Sequence, residues 1–349
     1  MRVGVLTGGG DCPGLNAVIR ALTLALLQRD PTVQVLGIER GFLGLIEGHL
    51  RPLDAATVRG LVDEGGTILG THNRANPFDY QGRDASPEAM AVARREGLDA
   101  LVAIGGDGTL TLAARFAALG LPVVGVPKTI DNDIEGNERS FGFDSAVAVV
   151  ADALTRLRTT AASHRRVMVV ETMGRDAGWI ALEGGLAGGA DAILIPEQPW
   201  PLEALAQHLH ARMVAQGHAL VCVAEGARLD GGDQHWQSLP DGVARLGGVA
   251  QALVQALGTR WPDVEVRATV LGHLQRGGSP TAFDRVLSTR FGVAAADAVR
   301  QGDFGHTVAL QGDRCVRVPL STVAGQNRRV PPGHELVRCA QALGALPSA

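Results

Sequence analysis

Three segments of the chain carry carboxylates directly after a short apolar run, two of them among glycines. The first reads Thr7-Gly8-Gly9-Gly10-Asp11-Cys12-Pro13-Gly14-Leu15-Asn16. Glycines let the backbone come close to an anion, and the N–H groups that open the following helix point at it. A tight strand-to-helix turn with no ligand has a similar composition, so this run gains meaning only from its company. The second segment, Ile104-Gly105-Gly106-Asp107-Gly108-Thr109, sets an acid inside a glycine turn. A carboxylate there repels phosphate unless a cation lies between them. Asp107 is therefore expected to hold Mg²⁺, directly or through water, with phosphate oxygens on the cation's other side. The third segment is Pro127-Lys128-Thr129-Ile130-Asp131-Asn132-Asp133. If it is extended, its two carboxylates project to the same side and repel. That repulsion is tolerable where one takes a proton from an attacking hydroxyl and the other faces a metal. A positioned carboxylate base is worth roughly 10²–10⁴ in rate.

Arginines recur near the ends of apolar runs: Ser163-His164-Arg165-Arg166, then Met173-Gly174-Arg175, then Arg267, then His273 to Arg276 followed by Gly277, Gly278 and Ser279. Each alone reads as a solvated surface charge. Their recurrence suits a phosphorylated sugar, because guanidinium forks bind phosphate in bidentate fashion. A nicotinamide dinucleotide fold, whose TGxxxGxG turn the first segment loosely matches, is set aside. Cys12 stands where that turn needs glycine, and the single tyrosine, Tyr80, has Asp84 four residues on, so no YxxxK pair exists.

These residues must be held at strand ends, and the apolar runs supply the strands. Strands are expected at Val3–Thr7, Val33–Ile38, Ala100–Ile104, Val123–Val126, Val167–Glu171, Ala192–Ile195, Ala219–Val223 and Val266–Leu271. Helices are expected at Pro13–Gln28, Pro87–Glu96, Leu110–Ala118, Asp144–Ala162, Ala177–Gly188, Pro201–Ala215, Gly247–Leu257 and Thr281–Arg300. Strands alternating with helices predict a doubly wound α/β fold with ligands at the carboxyl ends of the strands. The polar stretch Leu229–Gly242 reads as a surface excursion.

Composition agrees. The 349 residues are 46% apolar but only 4% aromatic, the make-up of buried parallel strands under close-packed helices. A net charge of −4 gives no general attraction to nucleic acid or to an anionic membrane. The four cysteines (Cys12, Cys222, Cys315, Cys339) form no CxxC pair, which argues against a zinc site or a disulfide framework. Neither a signal peptide nor a membrane-spanning run is evident, and a cytoplasmic location is expected.

Taken in order, GGGDCPGLN, GGDGT, PKTIDND, SHRR, VETMGR, AEG and RATVLGHLQRGGSP resemble the 6-phosphofructokinase family, from about residue 2 to about residue 320. GGDGT also occurs in NAD kinases and lipid kinases, whereas PKTIDND and LGHLQRGGSP are specific. The resemblance implies two doubly wound Rossmann-like lobes with mainly parallel sheets. Residues 1–142 with about 275–315 would form the phosphoryl-donor lobe, and 143–274 with the C-terminal segment the sugar-phosphate lobe. It implies direct in-line transfer from ATP, with Mg²⁺, to C1 of fructose 6-phosphate, giving fructose 1,6-bisphosphate in glycolysis. Gly10, Phe42, Arg74, Gly106, Gly108 and Thr109 would line the donor site, and Asp107 would serve the metal. Asp131 would be the base, with Thr129 and Asp133 beside it. Met173, Gly174, Arg175, Glu225, His273 and Arg276 would contact the sugar. Arg166 and Arg267 match positions that reach in from a neighbouring subunit, so a homodimer or homotetramer sharing its sugar sites is implied.

The chain departs from the family pattern in two places. Pyrophosphate users typically carry Asp at the position of Gly108 and Lys at that of Lys128. Gly108 points to ATP, Lys128 fits either donor, and Leu112 stands where many ATP users have glycine near the adenine. A pyrophosphate-dependent phosphotransferase is thus the alternative, and a non-catalytic phosphometabolite-binding protein a second one. The intact Asp107, Asp131 and Arg175 argue against the latter. Of the basic cluster that binds nucleotide diphosphate or phosphoenolpyruvate in bacterial allosteric members, Arg20 and Arg158 are present. Leu24, Ala55 and the lysine-free Val214–Ala219 replace other members, so a weak response to such effectors is expected.

Overall fold

The computed structural model describes residues 1–229, 232–238 and 244–347. Among these residues the strands are, in chain order, β1 (Arg2–Gly8), β2 (Gln34–Ile38), β3 (Leu50–Leu53), β4 (Ala100–Gly105), β5 (Val123–Pro127), β6 (Val167–Thr172), β7 (Ala192–Leu194), β8 (Ala219–Ala224), β9 (Trp236–Ser238), β10 (Ala244–Leu246), β11 (Val266–Val270), β12 (His306–Gln311) and β13 (Arg314–Pro319). The chain forms two compact units, one of Met1–Ile130, Ile134–Ser145 and Arg276–Asn327, the other of Asp131–Asp133, Ala146–Gln275 and Arg328–Ala349.

The first unit holds a seven-stranded sheet of order β13-β12-β5-β4-β1-β2-β3. Its inner strands are parallel, while β13 and β3 run antiparallel at the two edges. Every residue of β4 and β5 is buried, which is why these strands read as unbroken apolar runs. The helices Leu15–Arg29 and Ala282–Gln301 pack closely through Gly292, where a Cβ would lie 2.7 Å from the Val18 carbonyl oxygen.

The second unit has a parallel sheet of order β11-β6-β8-β7 and a separate antiparallel pair, β9 with β10. Its core joins Val167, Val169, Val221 and Val223 to Leu205, Leu209, Leu253 and Leu257 of flanking helices. The helix Trp179–Gly188 is apolar apart from Glu183 and uses glycines as its contact face. A Cβ on Gly184 would fall 2.6 Å from Val150 Cγ1, and one on Gly188 would fall 2.4 Å from Leu154 Cδ1.

The mainly parallel, doubly wound architecture is as expected, and each expected strand is present with its ends within one residue. What was missed is β3, β9, β10, β12 and β13, with the helices Phe42–Glu47, Ala55–Val58, Leu320–Val323 and Glu335–Ala342. Most of these are short, and β13 carries two arginines and no fully buried residue at a sheet edge, so their patterns are weak. The supposed excursion Leu229–Gly242 contains β9; its residues 230–231 and 239–242 lie outside the described ones. The helix foreseen from Leu110 begins at Asp107 instead, which puts that acid in the first helical turn.

Glycines of opposite kinds give opposite expectations for stability. Gly184→Val should overpack the helix contact and cost roughly 1–3 kcal/mol. Gly258, inside the helix Val249–Arg260 with open space around its missing Cβ, should gain about 0.5–1 kcal/mol as Gly258→Ala. Thermal unfolding of the two variants against wild type should therefore shift Tm down and up respectively.

Candidate active site

In the first unit, β1 and β4 run side by side and end together, with Gly8 opposite Gly105. Thr109 fills the notch between them. A Cβ on Gly8 would lie 2.5 Å from Thr109 Oγ1, and one on Gly105 would lie 2.3 Å from Thr109 Cβ. Glycine at both strand ends is what lets the two glycine-rich turns sit next to each other.

The turn after β1 is held by its carbonyls. Thr71 Oγ1 donates to the Gly9 oxygen at 2.5 Å, the Lys128 ammonium donates to the Gly10 oxygen, and Arg276 Nη1 donates to the Asp11 oxygen at 3.1 Å. In a trans peptide the N–H points opposite to the C=O. The N–H groups of Gly10, Asp11 and Cys12 are therefore directed away from these three donors. Such N–H groups at a glycine-rich turn, with two cations at the same turn, suit an anion. Lys128 is 3% exposed, and Cys12 is buried beside it, its thiol pushed up to about 12 by burial.

Asp107 sits half-buried at the start of the helix Asp107–Ala118, where the helix dipole favours an anion. Its Oδ1 accepts from the Gly325 N–H at 2.7 Å and from Thr111 Oγ1 at 3.4 Å. Among the described residues no three His, Cys, Asp or Glu side chains are grouped so as to cage a metal. A cation at Asp107 would thus take most of its ligands from water and phosphate, which fits the way Mg²⁺ is bound. Gly106 caps this helix, and Gly108 is exposed with no atom within 4 Å of where its Cβ would be. Phe42 is in the core, stacked on Phe116 at 5.6 Å, and Leu112 packs against the same cluster. Arg74 is exposed, and Thr129 is buried.

In the second unit, Asp131 and Asn132 are buried and Asp133 half-buried. The segment is not extended, because Asn132 has φ 53°. The expectation that both carboxylates project to one side therefore fails: a left-handed residue between them breaks the alternation. Across the carboxyl ends of β6 and β8, Glu225 Oε1 accepts from the N–H groups of Gly174 at 3.3 Å and Arg175 at 3.1 Å. Gly174 and Arg175 both have positive φ, and a Cβ on Gly226 would lie 1.9 Å from the Arg175 oxygen, so this corner is also closed by glycine. Burial, with the negative charge of Asp131 adding to it, pushes the Glu225 carboxyl up to about 7. Met173 is half-buried, and the Arg175 residue and His273 are exposed.

Arg166 and Arg267 are brought together at the amino ends of β6 and β11, both bonded to Glu265. They are a strand length from Glu225, about 20 Å at the usual rise per residue. The two arginines and the carboxyl-end group thus do not form one cluster within this unit. Arg276, foreseen as a sugar contact, belongs to the first unit and grips the turn after β1. Arg20 and Arg158 are each bonded to backbone carbonyls, of Arg59 in the first unit and of Gly188 and Gly189 in the second.

Several supporting residues escaped sequence reasoning. Glu171 caps the helix Val249–Arg260 through the N–H groups of Gly248 and Ala250; Glu265 pins two arginines; Arg328 bonds the Asn132 carbonyl. Glu171 lies inside VETMGR and Glu265 two residues before Arg267, so only Arg328 stood away from residues already singled out.

A family model described as Phosphofructokinase matches residues 2–299. The chain is 51% identical over 352 residues to an ATP-dependent 6-phosphofructokinase of Chloroflexus aggregans, covering 98% of this chain and 96% of the relative. It is 48% identical over 335 residues to a pyrophosphate–fructose 6-phosphate 1-phosphotransferase of Amycolatopsis methanolica, covering 95% and 97%. Among solved structures, the T-state phosphofructokinase of Pichia pastoris is similar with a TM-score of 0.80 and 34% identity. That likeness covers 92% of this chain, which spans about a third of the other, 35% of it being covered.

The raised Glu225 carboxyl predicts a pH signature. The folded state keeps this proton to a higher pH than the unfolded chain, so its contribution is full below about 4.5 and is lost as pH rises to about 7. Glu225→Gln, which can still accept both N–H bonds, should lose that dependence. Relative to wild type the variant should gain on the order of 1–3 kcal/mol across this interval, read from urea unfolding at several pH values. A pH-independent difference would mean that Glu225 titrates normally.

Proposed function

The chain belongs to the phosphofructokinase family, and we propose that it transfers a phosphoryl group from ATP to the C1 hydroxyl of fructose 6-phosphate, a glycolytic step. The observation that carries the donor assignment is Gly108. Gly8, Gly105 and Gly226 are glycine because the fold leaves no room for a Cβ, whereas at Gly108 nothing stands within 4 Å. Near a helix N-terminus an acid would be favoured on local grounds. Bare space kept there is explained by a ligand that needs it, and a nucleotide is bulkier than pyrophosphate.

In this reading the first unit takes the donor and the second the sugar phosphate. The N–H groups after Gly9 receive phosphate oxygens, with Lys128 and Arg276 supplying positive charge behind them. Mg²⁺ held at Asp107 would offset charge on the phosphates as the bond to the leaving group stretches. Asp131 takes the proton of the attacking hydroxyl, and its burial keeps water from competing for it. The Met173–Arg175 corner and His273 contact the sugar phosphate. Arg166 and Arg267, a strand length away from that corner, serve the sugar of a neighbouring subunit in a homodimer or homotetramer.

Pyrophosphate is the second reading, favoured by one observation: Lys128 lies directly beneath the glycine turn. Initial rates with fructose 6-phosphate and Mg²⁺, measured with ATP and with pyrophosphate in parallel, decide between them. Turnover with ATP is expected; turnover with pyrophosphate alone would overturn the donor assignment. Asp131→Asn should lower kcat by about 10²–10⁴ while KM for the sugar stays near wild type.

A further inference from the structure

The turn that carries Asp131 is held by a residue 196 positions later in the chain than Asn132. Asn132 adopts φ 53° and is 2% exposed. A left-handed conformation is uphill for any residue but glycine, although asparagine tolerates it best, so something must hold it. Arg328 Nη1 donates to the Asn132 carbonyl at 3.1 Å, and the Arg328 N–H donates to the Asp133 carbonyl at 2.7 Å. Two successive peptide groups next to Asp131 are thus oriented by one residue.

Arg328 is itself fixed. Its guanidinium lies over the Trp179 ring, 4.1 Å from the centroid, and Trp179 Nε1 donates to its carbonyl at 3.3 Å. Trp179 is 1% exposed, and His334 stands edge-on to it at 5.0 Å. Two residues further on, the Val330 N–H donates to Glu197 Oε1 at 2.9 Å, and the same carboxylate takes the Gly178 N–H next to Trp179. A flat cation on a buried indole, with its backbone tied on both sides, is a rigid strut and not a solvated arm. The neighbouring Arg329 is exposed.

We infer that Arg328 is a positioning residue for Asp131, acting through the Asn132 and Asp133 carbonyls to aim the carboxylate at the sugar hydroxyl. The inference rests on Asp131 being the base. A base displaced by about 1 Å can lose on the order of 10²-fold in rate without any loss of substrate binding.

The test is a kinetic cycle of Arg328→Met, Asp131→Asn and the double variant in the full-length enzyme. Arg328→Met should lower kcat about 10²-fold with KM for fructose 6-phosphate near wild type. On the Asp131→Asn background it should cost little more, because a base already removed cannot be misaimed. A merely structural role would cut both backgrounds by the same factor, and that outcome, or a wild-type kcat in Arg328→Met, would overturn the inference. A wild-type kcat in Asp131→Asn would overturn the reading of the base, and the inference with it. If Arg328→Met does not fold, Arg328→Lys, which keeps the charge but cannot lie flat on the indole, enters the same cycle with the same outcomes. Arg329→Met should keep wild-type kcat.

Discussion

The turn after β1 depends on three consecutive carbonyls that each have a donor of their own. Backbone dipoles in a loop have no intrinsic reason to align. Here a hydroxyl, an ammonium and a guanidinium each take one oxygen, of Gly9, Gly10 and Asp11. Peptide planarity then turns each following N–H away from the donor that holds the carbonyl. Two of the three donors carry full charge, and charge-assisted bonds are about twice as strong as neutral ones. The basic residues therefore act on the loop geometry and on the local potential together. That the ammonium is nearly sealed from water makes both effects larger than they would be at the surface.

The second unit uses the same glycine corners to the opposite end. At the carboxyl ends of β6 and β8 the N–H groups of Gly174 and Arg175 are occupied by a carboxylate of the chain, Glu225. These N–H groups hold an acid in place beside Asp131. Burial and like charge make Glu225 reluctant to ionise, which marks this corner as the more strained of the two.

How much of this was readable in the chain follows from which forces leave a local trace. Buried parallel strands do, since β4 and β5 are apolar at every position, and so do the glycine turns that end them. Asp107, Asp131 and the Met173–Arg175 corner were visible because their residue types are costly unless used. The left-handed Asn132 was not, for asparagine in a polar segment raises no alarm, and the extended reading of its two neighbours was wrong. The contacts of Arg328 and Glu171 were invisible for a different reason. Each acts through contacts made over long sequence separations, 196 residues for Arg328 to Asn132 and 77 for Gly248 to Glu171, and pattern in a short window carries no such information. Arg276 was visible as a candidate, but its bond to the Asp11 carbonyl was not, because only the folded chain shows which turn it reaches.

Gly108 separates two demands that usually fall on the same residue. At Gly105 a methyl group would collide with Thr109, and selection for a folded protein alone would keep the glycine. At Gly108 no such veto exists, so a side chain there would not collide with the fold. A lineage carrying this fold could explore side chains there one mutation at a time without passing through unfolded intermediates. What the site accepts can then change over evolutionary time while the scaffold stays still.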